Sequence, residues 1–324
     1  MNKVIIEEIK NRMKEELLPE QIIKLGKVLE EVLNIDNQQK NKDLIKLFIF
    51  TKKSEGRSAR TETYYTQVLR TFEKDIKNVR YATTEDIRLY LYNYQNKTKC
   101  SPLSIDNIRR ILSSFYNWLE NEDYIIKSPM RRIRIVKIPN TIKSVFTDEN
   151  IVTMREICSH NKRNLAIFDL LNSSGLRVGE LVLLNKRDIN LENQTAIVYG
   201  KGSKERCIYF DVKTKMSLKK YLESRKDNEA ALFVTERKVT KKHKCRRLSI
   251  NSVEHIIRNC GNLCNNTKAY PHKFRRTMAT RAIDKGMPIE QVQVLLGHTK
   301  IDTTLRYAQV QQKNVRYSYQ KYIG

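Results

Sequence analysis

Apolar and polar residues alternate with a period of two in only a short part of this chain, and no other feature constrains its fold as much. Thr195 to Tyr199 and Arg206 to Phe210 alternate on either side of Gly200-Lys201-Gly202-Ser203, the pattern of two half-buried strands joined by a hairpin turn. A further short strand is expected over Ala231 to Thr235. Elsewhere the apolar residues recur at helical spacing. The chain is therefore expected to be mostly α with a small antiparallel β-sheet, the sheet lying in an α+β C-terminal domain behind an all-helical N-terminal region.

The helical region is punctuated by local signals. Ile5, Ile9, Met13 and Leu17 share one face, and Pro19 stands where a second helix would begin. A helix is expected over Leu44 to Thr51, then a break at Gly56-Arg57-Ser58, then a long helix near Arg60 to Asn78. Thr83 with Asp86 reads as a capping box, and Ser101-Pro102 as a cap and first position. Trp118, the only tryptophan, is expected in the core. At ~150 residues per domain the length accommodates about two domains. The divisions expected are a helical extension over 1–40, a helical domain over 41–125, a linker over 126–144 and a mixed domain over 145–324. The linker holds Pro129, Pro139 and the run Arg131-Arg132-Ile133-Arg134.

Charge narrows the partner. The net charge is +26, and residues 1–40 carry seven basic and eight acidic residues, so the excess lies in the rest of the chain. Such a surplus on a chain with an ordinary apolar fraction points to a polyanion, most often nucleic acid. A double-stranded DNA partner is expected, gripped in part by Arg131, Arg132 and Arg134. Runs such as Leu47-Phe48-Ile49-Phe50 are too short to span a bilayer, and acids stand where a signal peptide would be apolar. An intracellular protein without a membrane partner is expected. The six cysteines contain no C-x-x-C pair, so idle or buried thiols are expected and a zinc site is not.

Four segments of the mixed domain carry chemistry. They are Ser174 to Leu181, Gly200 to Arg206, Pro271 to Thr277, and Leu295 to His298 leading to Thr303 to Tyr307. Together they supply Arg177, Lys201 and Arg275, the imidazoles of His272 and His298, and the phenol of Tyr307. Phosphoryl transfer needs such a set, because fixed positive donors stabilise charge that spreads over nonbridging oxygens. An arginine fork binds two phosphate oxygens at once, and a tyrosine can attack to form a phosphoester. No acidic cluster has metal-ligand spacing and no P-loop is present, so neither metal nor nucleotide cofactor is expected. Taken singly, each of these residues is more simply a surface charge or a packing group. The order in which they occur together is informative.

In that order, the Arg box, Lys hairpin, H-x-x-R, L-G-H and final Tyr resemble the tyrosine recombinases of the lambda-integrase and Xer family. The resemblance implies that Arg177 and Arg275 clamp the scissile phosphate and that Lys201 protonates the departing 5′ oxygen. It implies general acid/base work for His272, a hydrogen bond to a nonbridging oxygen for His298, and nucleophilic attack by Tyr307 through a 3′-phosphotyrosine link. Glu180, one turn after Arg177, would orient and support. It further implies a core-binding domain over 41–125, a Holliday junction, a tetramer on DNA and an accessory recombination factor. The expected location is the cytoplasm, at the nucleoid when DNA is bound. Gly179, Ala308 and Gln309 depart from the housekeeping Xer pattern, and residues 1–40 are additional to it. Integration or transposition of a mobile element, inversion and dimer resolution all fit. A silent DNA-binding protein and a type IB topoisomerase-like enzyme are the alternatives. After Tyr307, Val310, Val315, Tyr319 and Ile323 could form a short helix that docks on its own chain or on a neighbour.

Overall fold

The computed structural model describes residues 2–34, 37–136, 144–199, 205–236, 245–298, 301–305, 319–320 and 323. It divides the chain into two compact units, Met1–Thr141 and Ile142–Gly324.

In the first unit, α1 (Asn2–Arg12) pairs with α2 (Pro19–Asn34), which Pro19 opens. Then come α3 (Asn37–Ser54), α4 (Ala59–Asp75), α5 (Thr84–Thr98) and α6 (Pro102–Asn121). Helix α3 extends beyond the expected 44–51 at both ends. Helix α4 stops before the expected Asn78. Ile76 turns to extended backbone, and the Asn78 side chain instead accepts from Arg80 N in a following 3-10 turn. Asparagine favours such local caps over helix interiors. The Thr83–Asp86 capping box and the Ser101 cap form as expected. Phe48, Phe72, Phe115 and Leu119 are fully buried, and Trp118 packs on Phe48 with ring centroids 5.5 Å apart.

Part of the expected linker packs on this unit. Met130 is buried, and Ile133 and Val136 lie against the same core. Buried Asp106 of α6 accepts from Val136 N at 3.4 Å while holding Arg109 and Arg110, each at 2.7 Å. Arg131 is exposed but paired with Glu120, and the Arg132 carbonyl accepts from Arg88 at 3.1 Å. Residues 137–143 lie outside the described residues.

The second unit begins with α7 (Asp148–Ser159), capped by Thr147, then α8 (Lys162–Ser174) and α9 (Val178–Leu183). A three-stranded antiparallel sheet follows in the order β1 (Ile189–Asn190), β2 (Thr195–Tyr199), β3 (Glu205–Tyr209). Ala196, Val198 and Ile208 turn inward, giving the alternation seen in sequence. The two-residue β1 is too short to leave a periodic signature. Then come α10 (Val212–Glu223), α11 (Ile250–Leu263), α12 (Pro271–Asp284), α13 (Ile289–Leu296) and α14 (Ile301–Leu305). The strand expected over Ala231–Thr235 does not form. Ala231 and Val234 make only single bridges, to Asn185 and Arg247, because the segment is threaded between two irregular loops rather than beside a strand.

Helix α8 is the centre of this unit. Ala166, Ile167, Phe168, Leu170 and Leu171 are all fully buried, so the helix is apolar nearly all round and packs on α7, α10 and α12. Phe274 of α12 meets Phe168 edge-on at 5.1 Å. That contact fixes the rotation of α12 and hence the direction of Arg275, one residue further on. Cys158, Cys260 and Cys264 are buried free thiols; Cys207 is exposed.

Candidate active site

Two glycines shape the corner where the motif segments meet. Gly175 ends α8 in the left-handed region at φ +59, and a Cβ there would come within 2.2 Å of the Met278 side chain. Gly297 ends α13 at φ +62, and a Cβ there would lie 2.7 Å from Arg206 Cδ. Both positions favour glycine for conformation, and at Gly297 the anchored Arg206 side chain leaves no room for a Cβ as well. The turns they make point the last carbonyls of two helices at one another's neighbourhood.

Arg275 occupies that neighbourhood. It is 1% exposed, with Nη1 donating to Gly175 O at 2.9 Å and Nη2 to Leu296 O at 2.5 Å. A guanidinium between two helix C-termini sits where the helix dipoles favour a cation. Arg275 Nη2 also donates to His298 Nε2 at 2.9 Å. Because a guanidinium offers no acceptor, Nε2 must accept. The ring proton of neutral His298 then sits on Nδ1 and donates to Thr304 Oγ1 at 2.9 Å. Burial, followed by the charges of Arg275, Arg177, His272 and Arg206, pushes the His298 pKa down to about 4, so the ring is neutral at pH 7.

Arg177 stands half-exposed across the corner, just before α9. Its Nη2 donates to Gly297 O at 3.2 Å. Glu180 holds it twice, accepting from Nη1 at 2.7 Å and from the Arg177 backbone N–H at 2.8 Å. Glu180 is buried and also accepts from Arg206 Nη2 at 2.7 Å. Burial alone would raise the Glu180 pKa, but these N–H donors and the two guanidiniums outweigh it and hold the carboxyl below its ordinary 4.5.

The structure thus brings Arg177, Glu180, Arg275 and His298 together. His272 is exposed on the first turn of α12, one turn before Arg275. Lys201 and Tyr307 lie outside the described residues. Two partners escaped the sequence reading. Arg206 and Thr304 lie within the motif segments Gly200 to Arg206 and Thr303 to Tyr307 but carry no spacing signal of their own. The arrangement is a buried cation, a half-exposed cation and a neutral imidazole on one turn, which suits an anionic, phosphate-like centre. Among the described residues, no group of His, Cys, Asp and Glu is placed to hold a metal ion, and no helix is long and apolar enough to cross a membrane.

Residues 144–314 match the phage integrase family, and residues 44–126 match the phage integrase N-terminal SAM-like domain. The chain is 30% identical over 284 residues to tyrosine recombinase XerA of Pyrococcus horikoshii, covering 87% of this chain and 94% of that protein. It is 28% identical over 283 residues to tyrosine recombinase XerC of Pediococcus pentosaceus, covering 82% and 92%. The fold is similar to that of the Tn1549 transposon integrase in complex with a circular intermediate DNA, with a TM-score of 0.68, 18% identity and coverage of 86% and 98%.

Proposed function

The chain belongs to the phage integrase family and is a tyrosine recombinase, an enzyme of site-specific DNA recombination; from that premise we propose how its residues divide the work. Tyr307, three residues beyond Thr304, attacks the scissile phosphorus. Its P–O bond forms as the bond to the 5′ oxygen breaks, leaving a 3′-phosphotyrosine. Lys201 gives its proton to the departing 5′ oxygen. Arg177 and Arg275 hold the nonbridging oxygens, and His272 exchanges the nucleophile's proton. His298 accepts from Arg275 in the free protein; when phosphate is bound its proton moves to Nε2, which donates to a nonbridging oxygen while Nδ1 accepts from Thr304 Oγ1. Glu180 orients Arg177. In the second step a 5′ hydroxyl from the partner duplex attacks the phosphotyrosine and frees Tyr307. One phosphodiester replaces another, so no nucleotide is hydrolysed.

The observation that carries this reading is the convergence of Arg177, Arg275 and His298 on the turn at Gly297. Two guanidiniums anchored at one turn form a clamp whose arms are already oriented before the pentavalent phosphorus forms. The substrate is DNA and the working form is a multimer, as in the DNA complexes of the family; a tetramer passing through a Holliday junction, with an accessory factor, is the specific form proposed here. The helical domain 41–125 and the mixed domain 145–324 both contact the site, with Arg131, Arg132 and Arg134 on the intervening phosphates. Gly179, Ala308, Gln309 and the near-neutral segment 1–40 depart from the housekeeping Xer pattern, and integration or transposition of a mobile element or inversion fits at least as well as dimer resolution.

The test is strand exchange between two duplexes of different length carrying the site, one labelled. Labelled products of hybrid length are expected. Relaxation of supercoiled plasmid with no hybrid product would indicate the topoisomerase-like alternative instead.

A further inference from the structure

The edge of the small sheet carries an arginine that the division of roles above leaves unused. Strand β3 begins directly after the segment 200–204, and Arg206 on it pairs with Val198 of β2. In the order β1-β2-β3, strand β3 is an edge strand among the described residues. The buried face of Ala196, Val198 and Ile208 fixes the sheet on the helices beneath it, but β3 has a ladder partner on one side only. A contact from the other side of β3 would set the direction in which the chain enters that strand.

Arg206 is placed to do so. Its side chain is 12% exposed and forms an ion pair with Glu180 at 2.7 Å, the same carboxylate that grips Arg177. Its Nη1 donates to Leu295 O at 2.5 Å, at the end of the helix that leads to His298. Its Cδ lies 2.7 Å from the point where a Cβ on Gly297 would stand. One planar fork thus ties the hairpin's return strand to the Arg177 loop on one side and to the His298 turn on the other. It also offsets the charge of Glu180, so that Arg177 and Arg206 with Glu180 keep one net positive charge beside the clamp.

We propose that Arg206 is a positioning residue that locks the lysine hairpin to the phosphate clamp, so that Lys201 meets the departing 5′ oxygen. The inference rests on the leaving-group role given to Lys201 above. In that step the P–O5′ bond breaks and the lysine proton passes to the oxygen. A substrate with sulfur in place of the bridging 5′ oxygen needs no such proton, because a thiol ionises near pH ~8.5. It therefore reports whether a defect lies in leaving-group protonation.

The experiment compares Arg206→Lys, Lys201→Ala and the double variant in single-turnover cleavage of nicked site duplexes with a 5′ oxygen or a 5′ sulfur. Lysine keeps the charge of Arg206 but cannot reach Glu180 and Leu295 O as one rigid fork. Arg206→Lys is expected to bind the duplex within about 3-fold of wild type and to cleave the oxygen substrate ~10²-fold more slowly, as when one aligned group is displaced by about 1 Å. On the sulfur substrate most of that loss should vanish, and Arg206→Lys should cost little further in the Lys201→Ala background. Wild-type cleavage of the oxygen substrate, equal losses on both substrates, or losses that multiply in the double variant would each overturn the proposal. Should Arg206→Lys not fold, Arg206→Gln carries the same comparison, and loss of folding in both assigns Arg206 to the core instead. Wild-type cleavage by Lys201→Ala would remove the role of Lys201 and this inference with it. Sulfur rescue of Lys201→Ala but not of Arg206→Lys overturns this inference alone.

Discussion

Replacing Glu180 by glutamine removes one charge and no volume from the carboxylate on which the clamp is built. The carboxylate accepts three bonds, one on Oε1 from Arg177 Nη1 and two on Oε2 from the Arg177 N–H and Arg206. Glutamine has one acceptor oxygen. With that oxygen in the Oε2 position, the amide NH2 faces Arg177 Nη1, donor against donor, and Arg177 is released. Breaking a buried pair costs ~3–5 kcal/mol, and the exposure of Arg177 places this case near the lower end, about 3 kcal/mol. At roughly 2–4 °C per kcal/mol for a unit of this size, the melting temperature should fall ~6–12 °C. Cleavage should fall ~10²-fold, since a clamp arm loses its alignment. The pH dependence supplies a sign. The folded-state pKa of Glu180 lies below its ordinary 4.5, so its contribution is complete above pH 4.5 and is lost as pH falls through the folded value. The stability gap between wild type and Glu180→Gln, measured by urea titration, should therefore shrink below pH 4.5. A gap that stays constant down to acid pH, or a variant that melts with wild type, would refute the reasoning.

Three further outcomes follow from the same site. Arg177→Lys keeps charge but loses the two-pronged fork, and should cleave ~10²-fold or more slower in single-turnover assays; near-wild-type cleavage would remove Arg177 from the clamp. By NMR titration of the free protein, the His298 ring, identified by its loss in His298→Asn, should gain its proton near pH 4, and a transition near 6.5 would contradict its placement against Arg275. With roughly 6–10 phosphate contacts, affinity for the site should drop ~10³–10⁵-fold between ~50 and ~200 mM salt, whereas a flat titration would contradict a phosphate-dominated grip.

Much of the site was legible because its chemistry is carried by residue types in a fixed order. Arg177, Arg275 and His298 are named from sequence, and their side chains meet at the turn around Gly297. The capped helices were legible for a similar reason: Thr83 and Ser101 announce their helices by local hydrogen bonds. What escaped depends on contacts distant in sequence. Arg206 meets Leu295 across 89 positions, and no local pattern encodes that meeting. The segment Ala231–Thr235 is apolar and short enough to read as a strand, yet its backbone partners are loop carbonyls and amides. Leu232 N donates to Leu184 O, and Leu248 N to Phe233 O. Strand propensity there reflects burial, not pairing. Met130, Ile133 and Val136 were similarly hidden within a basic, proline-bearing stretch, where charge masked three apolar residues that dock on the helical unit.

The central claim is that Tyr307 becomes covalently joined to DNA, and the most direct measurement is the site of that bond. The protein is incubated with a nicked duplex whose cleaved fragment diffuses away, the covalent complex is digested, and the nucleotide-bearing peptide is sequenced by mass spectrometry. The account predicts one modified residue, Tyr307, joined to a 3′ phosphate, and a Tyr307→Phe protein that binds the duplex but yields no adduct. An adduct on Tyr317 or Tyr319, or covalent DNA on the Tyr307→Phe protein, would contradict it.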